Sequence, residues 1–346
     1  MPKAWLCREF GLPSKLTYED ILPPATCGDN KLILNVLTSG LDWTQNLMIQ
    51  DKYQFKPKMP FTPGGEIVGS VLQVGKNVDG WNVGDICYSA LNSGGFQEIV
   101  QVPIKSCLKM PRHLATKAVP SFYGYGTSLH ALRDRANLQP GETLVVLGAS
   151  GGVGITAVEL GVKMGAKVIA CCSTDEKLEV CKRYGATDFI NYSKEDLKQA
   201  LRTKYKRGVD VVYDPIGDKY ADACIRNMAW NGRYLVIGYA AGDIPKIKTN
   251  LLLNKGSQAM GCALGFFQAK FPKKWLEMKD EIWQMFINNE INPLIHHQRY
   301  KLEEAPTAMQ DMLDRKIIGK ALISTNAMAT MMEQEEQQQN QQKSKL

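Results

Sequence analysis

Seven small residues in a row, Gly148-Ala149-Ser150-Gly151-Gly152-Val153-Gly154, follow a short apolar run and open a segment of helical character. Side chains this small let a backbone turn sharply and come close to a pyrophosphate. A helix starting there adds free N–H groups and a favourable dipole. The context supports this reading, because a strand is predicted before the turn and a second strand at the right distance after it. That second strand bears on the choice of dinucleotide. A ribose 2′-hydroxyl is usually held by an Asp or Glu about 20 residues after the first glycine. Here the place reads Ala170-Cys171-Cys172-Ser173-Thr174, with no acid. Ser173 and Lys177 can instead hold a 2′-phosphate, one by its hydroxyl and one by its charge. Asp175 and Glu176 lie nearby and suit the first turn of a helix. The expected cofactor is therefore NADPH, with NADH as the alternative.

Other chemistry is poorly supported. None of the nine cysteines falls in a C-x-x-C; Cys171 and Cys172 are adjacent and the rest are scattered. A disulfide framework and a Cys-rich zinc site are not expected. The four histidines form no i,i+4 pair, and His296 and His297 are neighbours. They read as ordinary surface or turn residues.

The elements that must carry the glycine turn are legible in the middle of the chain. Apolar, β-rich runs at 143–147, 167–172, 188–190, 209–213, 233–237 and 258–262 alternate with helical segments near 152–164, 175–184, 194–205 and 220–230. That alternation predicts βαβ units, a doubly wound parallel sheet with helices on both faces. The first ~120 residues differ: strand-like runs at 32–37, 66–74 and 98–102 are broken by Gly and Pro, as in a Greek-key or barrel-like body. After residue 265, Trp275, Leu276, Ile282, Trp283, Phe286 and Ile287 recur at helical spacing and read as a core face. From Asn326 the chain is rich in Met, Glu and Gln, which predicts a disordered tail over 326–346.

Composition bounds the rest. A chain of 346 residues fits about two domains of ~100–200 residues. With 44% hydrophobic and 22% charged residues it reads as soluble and globular. No apolar run approaches the ~18 residues of a membrane span, and residues 1–10 carry no secretory or transit pattern. The net charge of +7 is modest and reads mostly as solvated surface.

Taken together, 148–154, Tyr184-Gly185-Ala186, Ile190-Asn191-Tyr192, 209–217 and 232–238 resemble the medium-chain dehydrogenase/reductase superfamily. Within it the chain is similar to the zinc-free quinone oxidoreductases. Further matches are Pro63-Gly64-Gly65-Glu66-Ile67-Val68-Gly69, Gly84-Asp85, Gly94-Gly95-Phe96, Gly126-Thr127, Leu302-Glu303-Glu304-Ala305 and Gly319-Lys320. The resemblance covers about residues 1–325. It implies an α/β chain: a GroES-like β-rich catalytic domain at 1–122 and 266–325, and a Rossmann domain at 123–265. Position by position it implies that Thr127 lies near the nicotinamide and that Ser150, Gly151, Gly152 and Val153 hold the pyrophosphate. Ser173, Lys177 and Tyr192 would surround the 2′-phosphate, and Ile237 and Gly238 would line the nicotinamide end. Zinc-using relatives carry a Cys where this chain has Leu41 or Asp42, and a His where it has Gly65. Glu66 alone cannot hold zinc.

Without a Lewis acid, reduction of an already electrophilic carbon is the easier chemistry. The expected activity is hydride transfer to a quinone or an α,β-unsaturated carbonyl. The candidate proton donor is Tyr53, which resembles a substrate-site tyrosine of this group. Asp42 stands where quinone oxidoreductases commonly have Asn, and either tunes the substrate or caps the following turn. Two alternatives are enoyl-thioester reduction and a crystallin-like or RNA-binding role without turnover. No aromatic-interleaved basic patch is visible, so nucleic acid is not expected. The resemblance also implies a homodimer through the nucleotide-domain sheet. Finally, Ser344-Lys345-Leu346 matches the address read by the peroxisomal import receptor, so the expected location is the peroxisome, with the cytoplasm as the alternative.

Overall fold

The computed structural model describes residues 1–115 and 121–331. Ser344-Lys345-Leu346 lies outside the described residues. The chain forms two compact units, Met1–Ser121 with the chain from Ile295 onward, and Phe122–Leu294.

In chain order the first unit begins with β1 (Lys3–Leu6), β2 (Thr17–Asp20), β3 (Lys31–Leu41) and α1 (Trp43–Ile49). It continues with β4 (Glu66–Val74), β5 (Ile86–Ala90), β6 (Ile99–Pro103) and β7 (Cys107–Met110). The second unit opens with α2 (Phe122–Leu129), β8 (Thr143–Leu147), α3 (Gly152–Lys163), β9 (Lys167–Cys172) and α4 (Asp175–Arg183). Next come β10 (Asp188–Asn191), α5 (Leu197–Lys204), β11 (Val209–Asp214), α6 (Tyr220–Arg226) and β12 (Met228–Val236). It closes with α7 (Thr249–Lys255), β13 (Gln258–Gly261), α8 (Leu264–Lys270) and α9 (Pro272–Ile287). The return to the first unit supplies β14 (Tyr300–Lys301), α10 (Ala305–Leu313) and β15 (Ala321–Ser324).

The first unit is built on β3. Of the ten residues that follow Lys31 in this eleven-residue strand, all but Asn35 are buried. Its sheet runs β14-β15-β3-β4-β5-β7, with β6 also pairing to β3. One apolar cluster packs Leu32, Leu34 and Val36 against Ile67, Val71, Val100 and Val102. A second packs Leu41, Met48 and Ile49 against Tyr300, Met309 and Ile323. The strand runs beyond the expected 32–37, and so delivers Asp42 to the start of α1.

The second unit is a six-stranded parallel sheet in the order β10-β9-β8-β11-β12-β13. Leu144, Val145, Val146 and Leu147 are fully buried, as expected of a central strand covered on both faces. The chain winds outward from β8 to β10, then returns to β11 beside β8. That reversal creates a crevice at the carboxyl ends of the strands, where such sheets bind ligands.

Several expectations change here. Helices α8 and α9 belong to the second unit, so the chain rejoins the first unit at Ile295 rather than at 266. The reason is packing: Phe122 of α2 stacks on Phe286 at 5.2 Å between ring centroids, and Tyr125 meets the same ring edge-on at 5.6 Å. The buried face of α9 is Met278, Ile282 and Phe286, whereas Leu276 and Ile287 are exposed. Residues 326–331 are helical rather than disordered, because Met328 and Met331 are buried. Two histidines are buried as well: His130 bonds Asp134 at 3.0 Å, and His296 accepts from the Ile318 N–H at 3.3 Å. Among the described residues no helix is long and apolar enough to cross a membrane.

Candidate functional site

In the second unit, the glycine turn joins the carboxyl end of β8 to the amino end of α3. Gly148 adopts φ +56°, a left-handed conformation that favours glycine. A Cβ on Gly154 would stand 2.2 Å from the Gly148 carbonyl oxygen and 2.9 Å from Ala149 Cα, so only glycine fits. Gly151 occupies the N-cap of α3, and no side chain caps that end. Ser150 is buried beside Cys172, while Gly151, Gly152 and Val153 are partly exposed. A closed turn, an uncapped helix end and an accessible backbone are the features a pyrophosphate needs. The residues therefore fit a dinucleotide.

The end of β9 explains why no acid stands there. Cys171 and Cys172 are both buried, with Cys172 Sγ 3.8 Å from Cys181 Sγ of α4. The chain emerges at Ser173, which is partly exposed. Thr174 then caps α4 by accepting the Lys177 N–H at 3.3 Å. The Tyr192 N–H donates to the Cys172 carbonyl at 3.1 Å, which brings the segment after β10 to the same place. Ser173, Lys177 and Tyr192 are thus gathered around one strand end, and the Tyr192 ring leans on Tyr220 at 4.8 Å. Lys177 is close enough for its charge to act on the Cys172 thiol. Asp175 is committed elsewhere: it pairs with Lys194 and accepts from Asn191 Nδ2 at 2.6 Å.

Elsewhere in the second unit, Thr127 is partly exposed on α2 between buried Gly126 and Ser128. Ser128 sits 2.8 Å from Thr156 Oγ1 and 3.0 Å from Tyr213 Oη, which ties α2 to α3 and β11. Ile237 and Gly238 donate their N–H groups to the Asp214 carbonyl at 3.0 and 3.4 Å. Asp214 itself was missed in the sequence. Its carboxylate accepts from the Ile216 and Gly217 N–H groups at 2.7 and 2.8 Å and from Tyr234 Oη. It is a buried pin holding the turns after β11 and β12. Burial pushes its carboxyl up, against those hydrogen bonds.

In the first unit, Asp42 occupies the N-cap of α1 but makes no side-chain cap bond. Its carboxylate instead meets Lys320 Nζ at 2.5 Å. The same ammonium donates to Glu66 Oε2 at 2.8 Å, and Tyr88 Oη donates to Glu66 Oε1 at 2.8 Å. Glu66 is fully buried and Lys320 is 5% exposed. Desolvation works against the Lys320 charge, but the two carboxylates outweigh it and hold its pKa above the usual lysine value. Burial, with the Glu66 charge adding to it, lifts the Asp42 carboxyl despite Lys320. Tyr53 packs partly buried against the apolar cluster around Met48 and Ile49. Burial first, and then the Asp42 charge, raise its phenol pKa above 10. Its hydroxyl makes no hydrogen bond among the described residues. Neither the cluster nor Lys320 was foreseen as a unit; Gly319-Lys320 entered only as a family match.

Residues 152–281 match the zinc-binding dehydrogenase family, and residues 28–112 match the alcohol dehydrogenase GroES-like domain. A quinone oxidoreductase-like protein 2 homolog from Nematostella vectensis is 33% identical over 327 residues, which is 93% of this chain and 89% of the relative. A probable oxidoreductase from Mycobacterium abscessus superposes with a TM-score of 0.82 at 31% identity, covering 93% of this chain and 98% of that one. The Escherichia coli quinone oxidoreductase complexed with NADPH has a TM-score of 0.84 at 21% identity, covering 93% and 99%, a likeness of fold.

The first family's description implies zinc, and the donors present do not fit one. A zinc site needs at least three protein ligands. Among the described residues no group of three or more His, Cys, Asp or Glu side chains stands close enough to hold a metal ion. Both oxygens of Glu66 are already engaged, and a fixed ammonium sits between Glu66 and Asp42.

Proposed function

The chain belongs to the quinone oxidoreductase branch of the medium-chain dehydrogenase/reductase superfamily, and from that premise we propose that it is an NADPH-dependent, zinc-independent reductase of quinones or α,β-unsaturated carbonyls. The observation that carries this is the end of β9. Two buried thiols replace the acid, and Ser173, Lys177 and Tyr192 surround the exit. NADPH, when bound, supplies the hydride. The protein's own part is to orient and to supply a proton. The uncapped α3 terminus and the turn at 148–154 bind the pyrophosphate. Asp214 fixes the turns at Ile237 and Gly238 that flank the nicotinamide end. Charge developing on a substrate oxygen is met by a proton from Tyr53 Oη.

Anaerobic turnover of a panel of quinones and enones with NADPH and NADH tests this reading; the absence of both cofactor oxidation and cofactor binding would reject it. In the same assay Lys177→Glu is expected to weaken NADPH about 10- to 100-fold relative to NADH, the value of one charge-assisted contact reversed to repulsion. Unchanged preference removes Lys177 from the site.

Tyr53→Phe is expected to lower kcat about 100-fold, the low end for removing a general acid. Because the phenol pKa is raised above 10, its protonated form persists through neutrality, and kcat stays level from about pH 6 to 9. An alkaline limb appears above that, and Asp42→Asn, which removes the repelling charge, moves the limb to lower pH. A limb that ignores Asp42→Asn argues against Tyr53 as the donor.

The same reading includes a homodimer at β13, which ends its sheet and has exposed Leu253 and Phe266 on the helices either side. Sedimentation at the mass of a single 38.5 kDa chain would reject it.

A further inference from the structure

A cavity of about 440 Å³ in the second unit has no part in the reading above. It lies at the amino ends of β11 and β12, since its walls include Gly208 just before β11 and Asn227 just before β12. The glycine turn follows the carboxyl end of β8, at the opposite end of the same parallel sheet. The cavity wall carries six cations: Lys198, Arg202, Lys206, Arg207, Arg226 and Lys255.

Two of these are partnered. Arg226 Nε meets Asp222 Oδ2 at 2.7 Å, and Lys255 Nζ donates to the Met228 carbonyl at 2.6 Å. The side chains of Lys198, Arg202, Lys206 and Arg207 have no ion pair or hydrogen bond among the described residues. Asp222 is the acid whose charge reaches Lys198, and it is already bound to Arg226. Asp188 is taken by Lys204 and Tyr205, and Asp196, the N-cap of α5, accepts the Gln199 N–H at 2.7 Å. These four cations are exposed and ring one concavity, and such a cluster of one sign raises the local concentration of anions.

Helix-end electrostatics do not account for the set. A basic residue suits the last turn of α5, as Arg202 does, but Lys198 is its second residue, where the dipole disfavours a cation. Lys206 and Arg207 lie beyond the helix in a turn that is rigidly held. Gly208 there has φ +85°, and a Cβ on it would stand 2.4 Å from the Ala229 nitrogen. The Gly208 N–H closes the turn on the Tyr205 carbonyl at 2.8 Å. Ile225, which is buried, and Leu251 add an apolar wall. A volume of this size matches a small-molecule site.

We propose that this cavity binds a small organic polyphosphate, with consecutive phosphates on Lys198, Arg202, Lys206 and Arg207 and the organic part against Ile225 and Leu251. Adjacent cations on a fixed turn and a helix suit phosphates in series, and guanidinium groups bind them bidentately. The site is separate from the cofactor crevice and does not depend on the activity proposed above.

The test is calorimetric titration of the full chain, saturated with NADP⁺, with ATP and separately with inorganic tripolyphosphate at physiological salt. ATP is expected to bind one site, and more tightly than tripolyphosphate because of the apolar wall. Arg202→Glu with Arg207→Glu is expected to weaken ATP about 30-fold or more while leaving the melting temperature and NADPH affinity unchanged. The milder Arg202→Gln with Arg207→Gln gives a smaller loss in the same direction. Absence of ATP binding up to about 1 mM, a Kd untouched by both double variants, or tripolyphosphate binding as tightly as ATP overturns the proposal. So does variant-sensitive retention of single-stranded RNA in place of ATP, which would make the surface a nucleic-acid contact.

Discussion

Lys320→Met is expected to destabilise the protein by about 3–5 kcal/mol, because it strands the carboxylates of Asp42 and Glu66 without their counter-charge. Glu66 is fully buried and loses the ammonium that meets its Oε2 at 2.8 Å, so one of the two acids must take up a proton or the site must open. The melting temperature falls on the order of 10 °C. Urea unfolding checks this, and a loss below about 1 kcal/mol would show that the cluster holds little. A triple exchange, Lys320→Met with Asp42→Asn and Glu66→Gln, recovers most of the loss, since removing a whole buried ion cluster is far milder than breaking one. The pH dependence has a definite sign. The native pKa of Lys320 is raised, so the stability its charge brings is complete below the unfolded lysine value near 10.4. It is lost as pH climbs through the higher native value. Asp42 also has a raised native pKa. Its own contribution is therefore full only below about pH 3.9 and is lost as pH rises through its native value. At neutral pH Asp42→Asn alone consequently costs little stability, although it shifts the Tyr53 phenol.

The second large effect falls on the cofactor. Gly154→Ala places a methyl 2.2 Å from the Gly148 carbonyl, which is backbone and cannot step aside as a side chain could. The turn must spread, and the N–H groups at the start of α3 move out of line. Losing about two charge-assisted hydrogen bonds, at roughly 1.5–3 kcal/mol each, weakens NADPH binding about 100-fold or more. Fluorescence titration with NADPH measures this. Circular dichroism is expected to be unchanged, because α3 itself tolerates alanine. Binding within a factor of three of the parent chain would mean that the pyrophosphate sits elsewhere.

How much of this was readable in advance depended on how far apart the cooperating residues lie in the chain. The turn at 148–154 was visible because its cause is local: small residues, a strand and a helix within about a dozen positions. The absence of an acid after β9 was equally visible, although the reason for it, two thiols buried against α4, was not. The ion cluster joins positions 42, 66 and 320, and no spacing rule connects a residue on β4 to one 254 positions later. Asp214 was hidden differently. An acid at the end of an apolar strand looks like a solvated terminus until its backbone donors are seen. The assignment of α8 and α9 failed for a third reason. Their amphipathic pattern states that one face is covered, but not by what; the aromatic rings of α2 decide that. The helix at 326–331 was overlooked because polar composition masked two methionines with somewhere to pack.

The split of the first unit between both ends of the chain also has a consequence in time. Strand β3 is made early, yet its neighbour β15 pairs Ala321–Ser324 against Leu41–Thr38. At a synthesis rate of about 5–20 residues per second, the roughly 280 residues between them take about 14–56 s to appear. During that interval the second unit, contiguous from Phe122 to Leu294, can fold to completion on the ribosome. The amino-terminal sheet, begun first, waits with an open strand edge and with Glu66 lacking its lysine. The unit started first is thus the last to be finished, and until β15 arrives the β3 edge stands unpaired, a template for strand pairing with another chain.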